Sequence, residues 1–315
     1  MGISTFKGGV HPYDGKDLAK DQPIRRIKPK EILVYPLSQH IGAPASPIVA
    51  VGDTVLRGQK IAEAGGFVSA PVFASVSGTV KAIEPRHVAT GDLVNSIIIE
   101  NDGEMKETDF HGVEDVASLS KEQIIEKVKE AGVVGMGGAG FPTHVKLSPK
   151  EPDKIEFIIA NCAECEPLLR LHRQLLEKYA KEIIDTFHMI GETVGAKEVI
   201  IGIKKAYTAT IEAVKAVMGQ YPEVRLGLLD EVYPAGDEVV LIYEATGRVV
   251  RPGGLPIEQG VAVFNVETVY NVYRAVEEKQ PVTDKYVSVV AEVSDPVTVR
   301  VLLGCTLEEV VAQAG

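Results

Sequence analysis

The stretch Gly135-Met-Gly-Gly-Ala-Gly-Phe-Pro142 is the most informative part of this chain, and Lys146 follows it four residues later. Its four glycines in six positions leave the backbone free to approach a bound group closely and to adopt positive φ angles. Such a loop presents bare N–H groups, which together with one ammonium group suit a phosphate. A lone glycine-rich loop is more often a tight structural connection. The surrounding segments therefore decide between the two interpretations.

The residues after this loop alternate between strand and helix signals. Strands are predicted at 155–160, 198–203, 224–229 and 261–264, and helices at 168–193, 206–218, 238–246 and 266–277. A capping box at Ser120 and Gln123 predicts a further helix that runs to Ala131. This order predicts an α/β domain over residues 118–280 with a mostly parallel, Rossmann-like sheet. Ligands bind such sheets at the carboxyl ends of the strands.

Residues 29–105 show short strand signals separated by turns. V-G-D-x-V-x-x-G-Q-x-I from Val51 and A-P-x-x-A-x-V-x-G-x-V from Ala70 form a quasi-repeat. This pattern predicts a flattened all-β sandwich, similar to the biotinyl/lipoyl carrier fold and termed a barrel-sandwich hybrid. Gly65-Gly66-Phe67-Val68 stands where such carriers display a lysine, so a structural role is predicted. Residues 1–28 are polar and are predicted to form an extended N-terminal arm laid over the body of the protein.

Residues 284–315 show a separate pattern. Strand signals at 286–293 and 297–301 flank a turn at Asp295-Pro296, and a helix signal follows at 306–314. A hairpin with one helix is about half of a β-grasp unit of the SLBB-like type. Because a unit cut in mid-fold leaves an apolar helix face uncovered, the chain is predicted to be the N-terminal portion of a longer protein.

Composition restricts the class of function. The net charge of −11 and the isoelectric point near 5.2 argue against nucleic acid, because phosphate-backbone binding needs a basic face. No apolar run reaches the roughly 18 residues of a membrane-spanning helix, which predicts a cytoplasmic protein. Cys162 and Cys165 have C-x-x-C spacing, but no second pair or histidine set completes a zinc or iron–sulfur site. No metal site is predicted in this chain.

Three segments place polar residues at predicted strand ends. They are 161–167 after the first strand, 233–238 after the third, and 263–268 at the fourth. Carboxyl ends of parallel strands meet at one edge, so we expect these segments to lie near one another. Acidic loop residues are usually solvated, however, and Asn265 also suits the cap of the helix that follows it.

With the glycine loop, these segments resemble the NADH- and FMN-binding flavoprotein subunit of respiratory complex I. That subunit has G-x-G-G-A-G-F-P-x-x-x-K, N-A-D-E-x-E-P, Y-x-x-G-E-E and N-N-V-E-T in the same order. The chain is most similar to RnfC-type subunits of ion-translocating ferredoxin:NAD oxidoreductases, also in the stretches 39–44, 67–71 and 137–147. The resemblance covers nearly the whole chain.

The resemblance implies an FMN-binding electron-transfer subunit that exchanges hydride with NAD(H). It would relay electrons to or from iron–sulfur clusters or ferredoxin in an Rnf-type electron transport complex. Hydride passes between two cofactors, so no side chain is expected to be catalytic. The family's 4Fe-4S clusters are expected only in a missing C-terminal region. The implied partners are the other subunits of a membrane-bound complex, which would hold this chain at the cytoplasmic face of the membrane, and a ferredoxin-like carrier.

The resemblance also implies roles for individual residues. FMN and its phosphate would contact the glycine loop and its lysine, the amide and carboxylate after the first strand, the 233–238 loop and the last strand end: Gly135, Gly137, Gly138, Ala139, Lys146, Asn161, Glu164, Gly236, Asp237, Asn265 and Thr268. The nicotinamide nucleotide would face Phe141, Glu166 and Glu238.

Two departures from the complex I pattern keep alternatives open. Ala163 replaces an aspartate, and Pro149 replaces an aromatic residue three positions after the lysine. These changes motivate a docking scaffold without cofactor as one alternative. The 233–238 loop is similar to the cobalamin reductase of propanediol microcompartments and to the electron-transfer protein of proline reductase. A flavin-dependent partner of such a reductase is therefore the other alternative.

Overall fold

A computed structural model describes residues 9–19, 22–110, 112 and 115–315. These residues form two compact units. The β-rich unit contains residues 22–145 and 274–315, and the α/β unit contains residues 9–19 and 146–273. Among the described residues, no helix combines the length and apolar character needed to cross a membrane.

The first part of the β-rich unit is a sandwich of short strands. The strands of the sandwich are β2 (Ile32–Pro36), β3 (Ser46–Pro47), β4 (Thr54–Val55), β5 (Lys60–Glu63), β6 (Val72–Phe73), β7 (Gly78–His87) and β8 (Leu93–Asn101). The strand β1 (Arg25–Arg26) precedes them, and the helices α1 (Lys121–Glu130) and α2 (Thr143–Lys146) follow; the last residue of α2 belongs to the α/β unit. One sheet has the order β2-β8-β7-β4 and the other β3-β5-β6. The alternating residues Leu33 and Tyr35 of β2 are fully buried in the core, and they lie opposite Ile99 and Ile97 of β8. The predicted flattened sandwich is therefore confirmed.

The helix predicted from the capping box is also confirmed. The Ser120 side chain accepts from the backbone of Gln123, and the Gln123 side chain accepts from the backbone of Ser120. The helix α1 ends at Glu130 with Ala131 as its C-cap.

The α/β unit is built on a four-stranded parallel sheet. Its elements are β9 (Phe157–Cys162), α3 (Leu171–Lys178), α4 (Ala180–Val194), β10 (Glu198–Lys204), α5 (Thr208–Met218), β11 (Val224–Leu229), α6 (Glu238–Thr246), β12 (Val261–Asn265) and α7 (Val266–Val276), whose last residues enter the other unit. The strand order is β11-β10-β9-β12, and every pairing is parallel. The mostly parallel sheet predicted from the alternating signals is confirmed.

The single helix predicted at 168–193 is wrong at two points: helical geometry begins only at Leu171, since Leu168 has φ +71°, and it is interrupted at Tyr179. The backbone leaves helical geometry at Tyr179, with φ −126° and ψ 35°, so that α3 and α4 are separate helices. The Tyr179 ring stacks on the Tyr270 ring with their centroids 4.6 Å apart. This tertiary contact accompanies the break, and no local sequence signal reports it.

The C-terminal part of the β-rich unit contains β13 (Asp284–Val289), β14 (Val297–Leu302) and α8 (Leu307–Val311). The strand β13 pairs antiparallel with β14, whose other edge pairs in parallel with β1. Residues 25–26 belong to the predicted arm, but here they form a strand, because Ile27 beside them is buried in the core of this sheet. Residues 1–8 and 20–21 of that arm lie outside the described residues.

Candidate functional site

The carboxyl ends of β9 and β12 bring two amide side chains into register. Asn161 of β9 lies opposite Asn265 of β12 in the parallel pairing. The loop after β11 contributes Gly236, whose carbonyl accepts a hydrogen bond from Asn161 Nδ2 at 2.8 Å. The predicted polar segments 161–167 and 233–238 are therefore in contact. The third segment, 263–268, begins on the strand β12 that pairs with β9.

Gly236 lies against the loop that follows β9. A Cβ atom added to it would lie 2.8 Å from Cys165 Sγ and 3.3 Å from Ala163 Cβ. Real Cβ atoms do not approach other atoms as closely as 2.8 Å, so the close packing of the two loops requires glycine here. The Asn161 amide holds the same contact from the other side, since its Oδ1 accepts from Ala163 N at 3.3 Å.

Glu164 is buried, so the solvated alternative is wrong for this residue. Its Oε1 accepts from the backbone N–H of His172 at 2.7 Å. Its Oε2 lies 3.5 Å from Arg173 Nε and has no hydrogen-bond partner among the described residues. Glu166 is exposed, and its carboxylate lies at the limit of hydrogen bonding from Tyr233 Oη, at 3.5 Å. The two carboxylates of this loop thus differ in environment.

Asp237 and Glu238 begin α6. The Asp237 side chain accepts from the backbone N–H groups of Val239 and Val240, which makes it the N-cap. Glu238 is exposed, and its carboxylate lies 4.0 Å from Lys146 Nζ. The sheet edge therefore brings two of the predicted residues, Lys146 and Glu238, together.

Lys146 lies against the last strand of the sheet. Its Nζ donates to the carbonyl of Val263 at 2.8 Å and lies 5.7 Å from the centroid of the Phe264 ring. Burial lowers the pKa of Lys146, and the nearby Glu238 carboxylate opposes that shift. One of the three N–H donors of the ammonium is engaged by Val263, so the group remains a suitable donor to an anion.

Asn265 caps the helix that follows it, as the alternative interpretation of this residue predicted. Its Oδ1 accepts from the backbone N–H groups of Glu267 and Thr268 at 2.9 and 3.4 Å. Its Nδ2 lies 3.0 Å from His172 Nε2. Thr268, in the first turn of α7, is buried.

The glycine loop belongs to the β-rich unit. It closes on itself through the hydrogen bond from Gly135 N to Phe141 O at 2.9 Å, and residues 137–139 are exposed. A Cβ on Gly138 would meet nothing within 4 Å, whereas Gly140 has φ +68° and a Cβ there would lie 3.0 Å from His40 Cα. The loop also lines a cavity of about 700 Å³ in this unit. Its tip is therefore open, and glycine is required at 140 rather than at 138.

Two residues of the site were not predicted from the sequence. His172 links the loop after β9 to the end of β12: its backbone N–H donates to the Glu164 carboxylate, and its imidazole contacts the Asn265 amide. Lys16 donates to three backbone carbonyls of the loop after β9. A lysine in a polar N-terminal segment has no periodicity or motif that could have identified it.

Comparison with known families is consistent with this geometry. Residues 128–274 match the Nuo51 FMN-binding domain, and residues 4–104 match the RnfC barrel sandwich hybrid domain. The chain is 37% identical over 313 residues to a subunit of the Na⁺-translocating ferredoxin:NAD⁺ oxidoreductase complex of Acetobacterium woodii. That alignment covers 99% of this chain and 71% of the relative. The chain belongs to the RnfC family.

Membership of the RnfC family confirms the family predicted from the sequence. The matched domains confirm FMN as the cofactor and the barrel-sandwich hybrid as the N-terminal fold. The protein is therefore a flavoprotein subunit of the oxidoreductase class.

Solved structures with a similar fold include the NAD⁺-reducing [NiFe]-hydrogenase. In the air-oxidized state the TM-score is 0.53 at 27% identity, and in the H₂-reduced state it is 0.51 at 26% identity. Each match covers 62% of this RnfC-family chain and 39% of the hydrogenase chain. The chain thus spans well under half the length of these hydrogenase chains.

The residues at the sheet edge suit an FMN molecule. Lys146 retains N–H donors for a phosphate, and Glu238 is the one acidic side chain within ion-pair distance of it among the described residues. The buried Glu164 Oε2 lacks a hydrogen bond among the same residues, and a donor on a bound ligand would satisfy it. The close packing at Gly236 leaves backbone rather than side chain at that point of the loop.

Proposed function

We propose that this chain is the FMN-binding subunit of an Rnf-type complex, which exchanges hydride with NAD(H). It relays electrons to or from iron–sulfur clusters or a ferredoxin. The observation that supports this most directly is the convergence of Lys146, Asn161, Gly236 and Asn265 on one sheet edge, within residues that match an FMN-binding domain. The similarity to a subunit of a ferredoxin:NAD⁺ oxidoreductase supports both electron partners.

Each residue at the sheet edge has a proposed part. Lys146 donates to the FMN phosphate, and Asn265 and Thr268 take the phosphate end of the cofactor at the N-terminus of α7, an end that favours anions. Asn161 and Glu164 present polar atoms to the isoalloxazine edge and the ribityl chain. When bound, FMN supplies hydride acceptance and one-electron transfer, which no side chain here provides.

The remaining predicted residues complete this proposal. Gly236 and Asp237 line the flavin pocket, and Gly135, Gly137, Gly138 and Ala139 offer backbone N–H groups to the cofactor. Glu166 and Glu238, both exposed, face the nicotinamide nucleotide together with Phe141. Exposure suits this role, because a diffusible substrate must reach these side chains, whereas the buried Glu164 suits a resident cofactor.

Several finer features are also part of the proposal. The domain boundaries proposed from the sequence are 1–28, 29–105, 118–280 and 284–315, whereas residues 118–145 and 274–280 belong to the β-rich compact unit of the structure. The sheet β1-β14-β13 with α8 is the start of a β-grasp unit of the SLBB-like type, supported by its hairpin and single helix. The chain works with other subunits of a membrane-bound complex and a ferredoxin-like carrier, at the cytoplasmic face of the membrane.

The proposed function is tested by titrating the protein with FMN and then adding NADH anaerobically. We expect saturable quenching of flavin fluorescence, followed by bleaching of the flavin absorbance band. If FMN binds and its absorbance is bleached by reduced ferredoxin but not by NADH, the result would favour the alternative of a cobalamin or proline reductase partner. No binding at all would leave a docking scaffold and overturn the proposal. Lys215→Met, at an exposed position of α5, is the matched control for lysine substitutions at the site.

A further inference from the structure

Lys16 is anchored to the loop between β9 and α3. Its Nζ donates to the backbone carbonyls of Glu164, Glu166 and Leu169 at 2.8, 2.8 and 2.6 Å. An ammonium group has three N–H donors, so this geometry uses all of them. All three donors of Lys16 therefore bind the backbone of one short loop, which also contains two carboxylates of the proposed site, Glu164 and Glu166.

That loop has an unusual backbone. Glu164 and Leu168 have φ angles of +43° and +71°, a region that side-chain-bearing residues rarely occupy. Such conformations persist when surrounding contacts hold them in place. The N–H of Leu168 donates to Asp14 O at 2.6 Å, and a Cβ added to Gly15 would overlap Leu168 Cδ2. The segment Asp14–Lys16 therefore holds this loop by three kinds of contact.

Lys16 is buried among charged side chains of both signs. The residue is only 5% exposed, and burial lowers its pKa to about 8. The Glu164 and Asp14 carboxylates raise the pKa, whereas Arg173 and Lys204 lower it. A buried ammonium is costly unless it is hydrogen-bonded, and a methionine of similar length would fill the same space without that cost. Packing alone therefore does not explain why a charged side chain occupies position 16.

We propose that Lys16 is a positioning residue, which fixes the backbone of residues 164–169 so that Glu164 and Glu166 are held in place for the cofactor and its nucleotide substrate. This inference rests on the proposed function only for the identity of those ligands. The anchoring itself is a property of the protein alone, and it can be measured without any cofactor.

Amide hydrogen exchange on the cofactor-free full chain tests the anchoring. In Lys16→Met, the amides of Leu168 and His172 should exchange about tenfold to a hundredfold faster, because three charge-assisted hydrogen bonds are lost. The amides of α5 should not change. Lys215→Met should match the wild type throughout, since that side chain lies exposed on α5. Unchanged exchange at Leu168 and His172 would overturn the inference.

The unaltered protein provides a second measurement, which does not depend on the variant folding. A neutral amine has two N–H donors for three carbonyls, so one anchor is lost on deprotonation. After correction for the intrinsic rate, opening at Leu168 should increase as the pH rises through about 8, while opening in α5 should not. Opening at Leu168 that is independent of pH between about 7 and 9 would count against the inference.

The functional consequence is measured on FMN-loaded protein by stopped-flow reduction with NADH. The wild-type rate constant should decline above pH 8, and Lys16→Met should give a lower rate constant that no longer varies in this range. If the wild type binds no FMN, the proposed function fails while the exchange result still stands. If FMN is reduced normally in Lys16→Met with the wild-type pH profile, the positioning role is wrong.

Discussion

Replacing Gly236 by alanine tests the closest packing at the sheet edge. The added Cβ would lie 2.8 Å from Cys165 Sγ, 3.3 Å from Ala163 Cβ and 3.5 Å from Cys165 Cβ. The first distance requires a shift, the second is tight, and the third is ordinary van der Waals contact. Because the Gly236 carbonyl accepts from Asn161 Nδ2, a shift of this loop also disturbs that hydrogen bond.

The expected magnitude follows from this geometry. Overpacking of one methyl group in a packed region costs about 1 to 3 kcal/mol. Loss of the Asn161 contact adds about 1 kcal/mol. We therefore expect Gly236→Ala to lower the free energy of unfolding by about 2 to 4 kcal/mol in urea titrations. FMN affinity, measured by fluorescence quenching, should fall by about tenfold or more, since the loop lines the proposed pocket.

A second substitution separates the steric cause from other effects. Cys165→Ala removes the sulfur atom, so the closest remaining contact of the new Cβ is Ala163 Cβ at 3.3 Å. Gly236→Ala should then cost less than half as much in the Cys165→Ala background. Gly219→Ala is the control, because its φ is −61° and a Cβ there meets nothing within 4 Å. An equal cost of Gly236→Ala in both backgrounds would refute the packing argument.

Three further predictions concern single side chains. Lys146→Met should weaken FMN binding by about tenfold or more with little loss of stability, because a charged donor to the phosphate is removed from a partly exposed position; fluorescence titration measures this. Asn265→Ala should cost about 1 kcal/mol of α7 capping in urea unfolding, whereas Asn265→Asp should retain the cap. Burial alone would raise the pKa of Asp284, but Arg274 and Arg300 outweigh it and lower the pKa. The free energy that this ion pair contributes to folding is therefore fully present above about pH 4, and it is lost as the pH falls through the lowered pKa of Asp284. Asp284→Asn should lower the free energy of unfolding by about 3 to 5 kcal/mol and remove that pH dependence, as measured by thermal unfolding.

Local sequence signals predicted the strands and helices of the sheet correctly where a polar residue or a glycine lies at the end of the element. The strand Val224–Leu229 and the helix Glu238–Thr246 have the predicted bounds. In each case the apolar run ends at a residue that cannot continue the element favourably, such as Gly247 after the helix, which has φ +73°. The predicted helix at 168–193 had no such signal at Tyr179, because the ring that stacks on Tyr179 lies on a distant helix.

The sequence predicted the order of the segments that form the candidate site, but it did not predict which of their side chains are buried. Acidic residues in loops are usually solvated, which holds for Glu166 and fails for Glu164. The difference arises from cations that lie elsewhere in the chain: Lys16 is 148 residues from Glu164, and Arg173 is on the next helix. Sequence spacing contains no information about such partners, so the electrostatic environment of a carboxylate is available only from the fold.

The hydrogen bonds at the sheet edge divide the predicted residues into two groups. Asn161, Asp237 and Asn265 each use their side-chain oxygen on backbone N–H groups of the protein, so much of their hydrogen-bonding capacity already holds loops and helix ends in place. Lys146 has donors to spare, and the buried Glu164 Oε2 has no hydrogen bond among the described residues. Direct recognition of an anionic, hydrogen-bonding cofactor at this edge should therefore depend most on Lys146 and Glu164. The side-chain oxygens of the two amides and of Asp237 would act mainly by fixing the backbone around them. A ligand that competed for these oxygens would have to release a loop contact at Asn161, or a helix cap at Asp237 or Asn265.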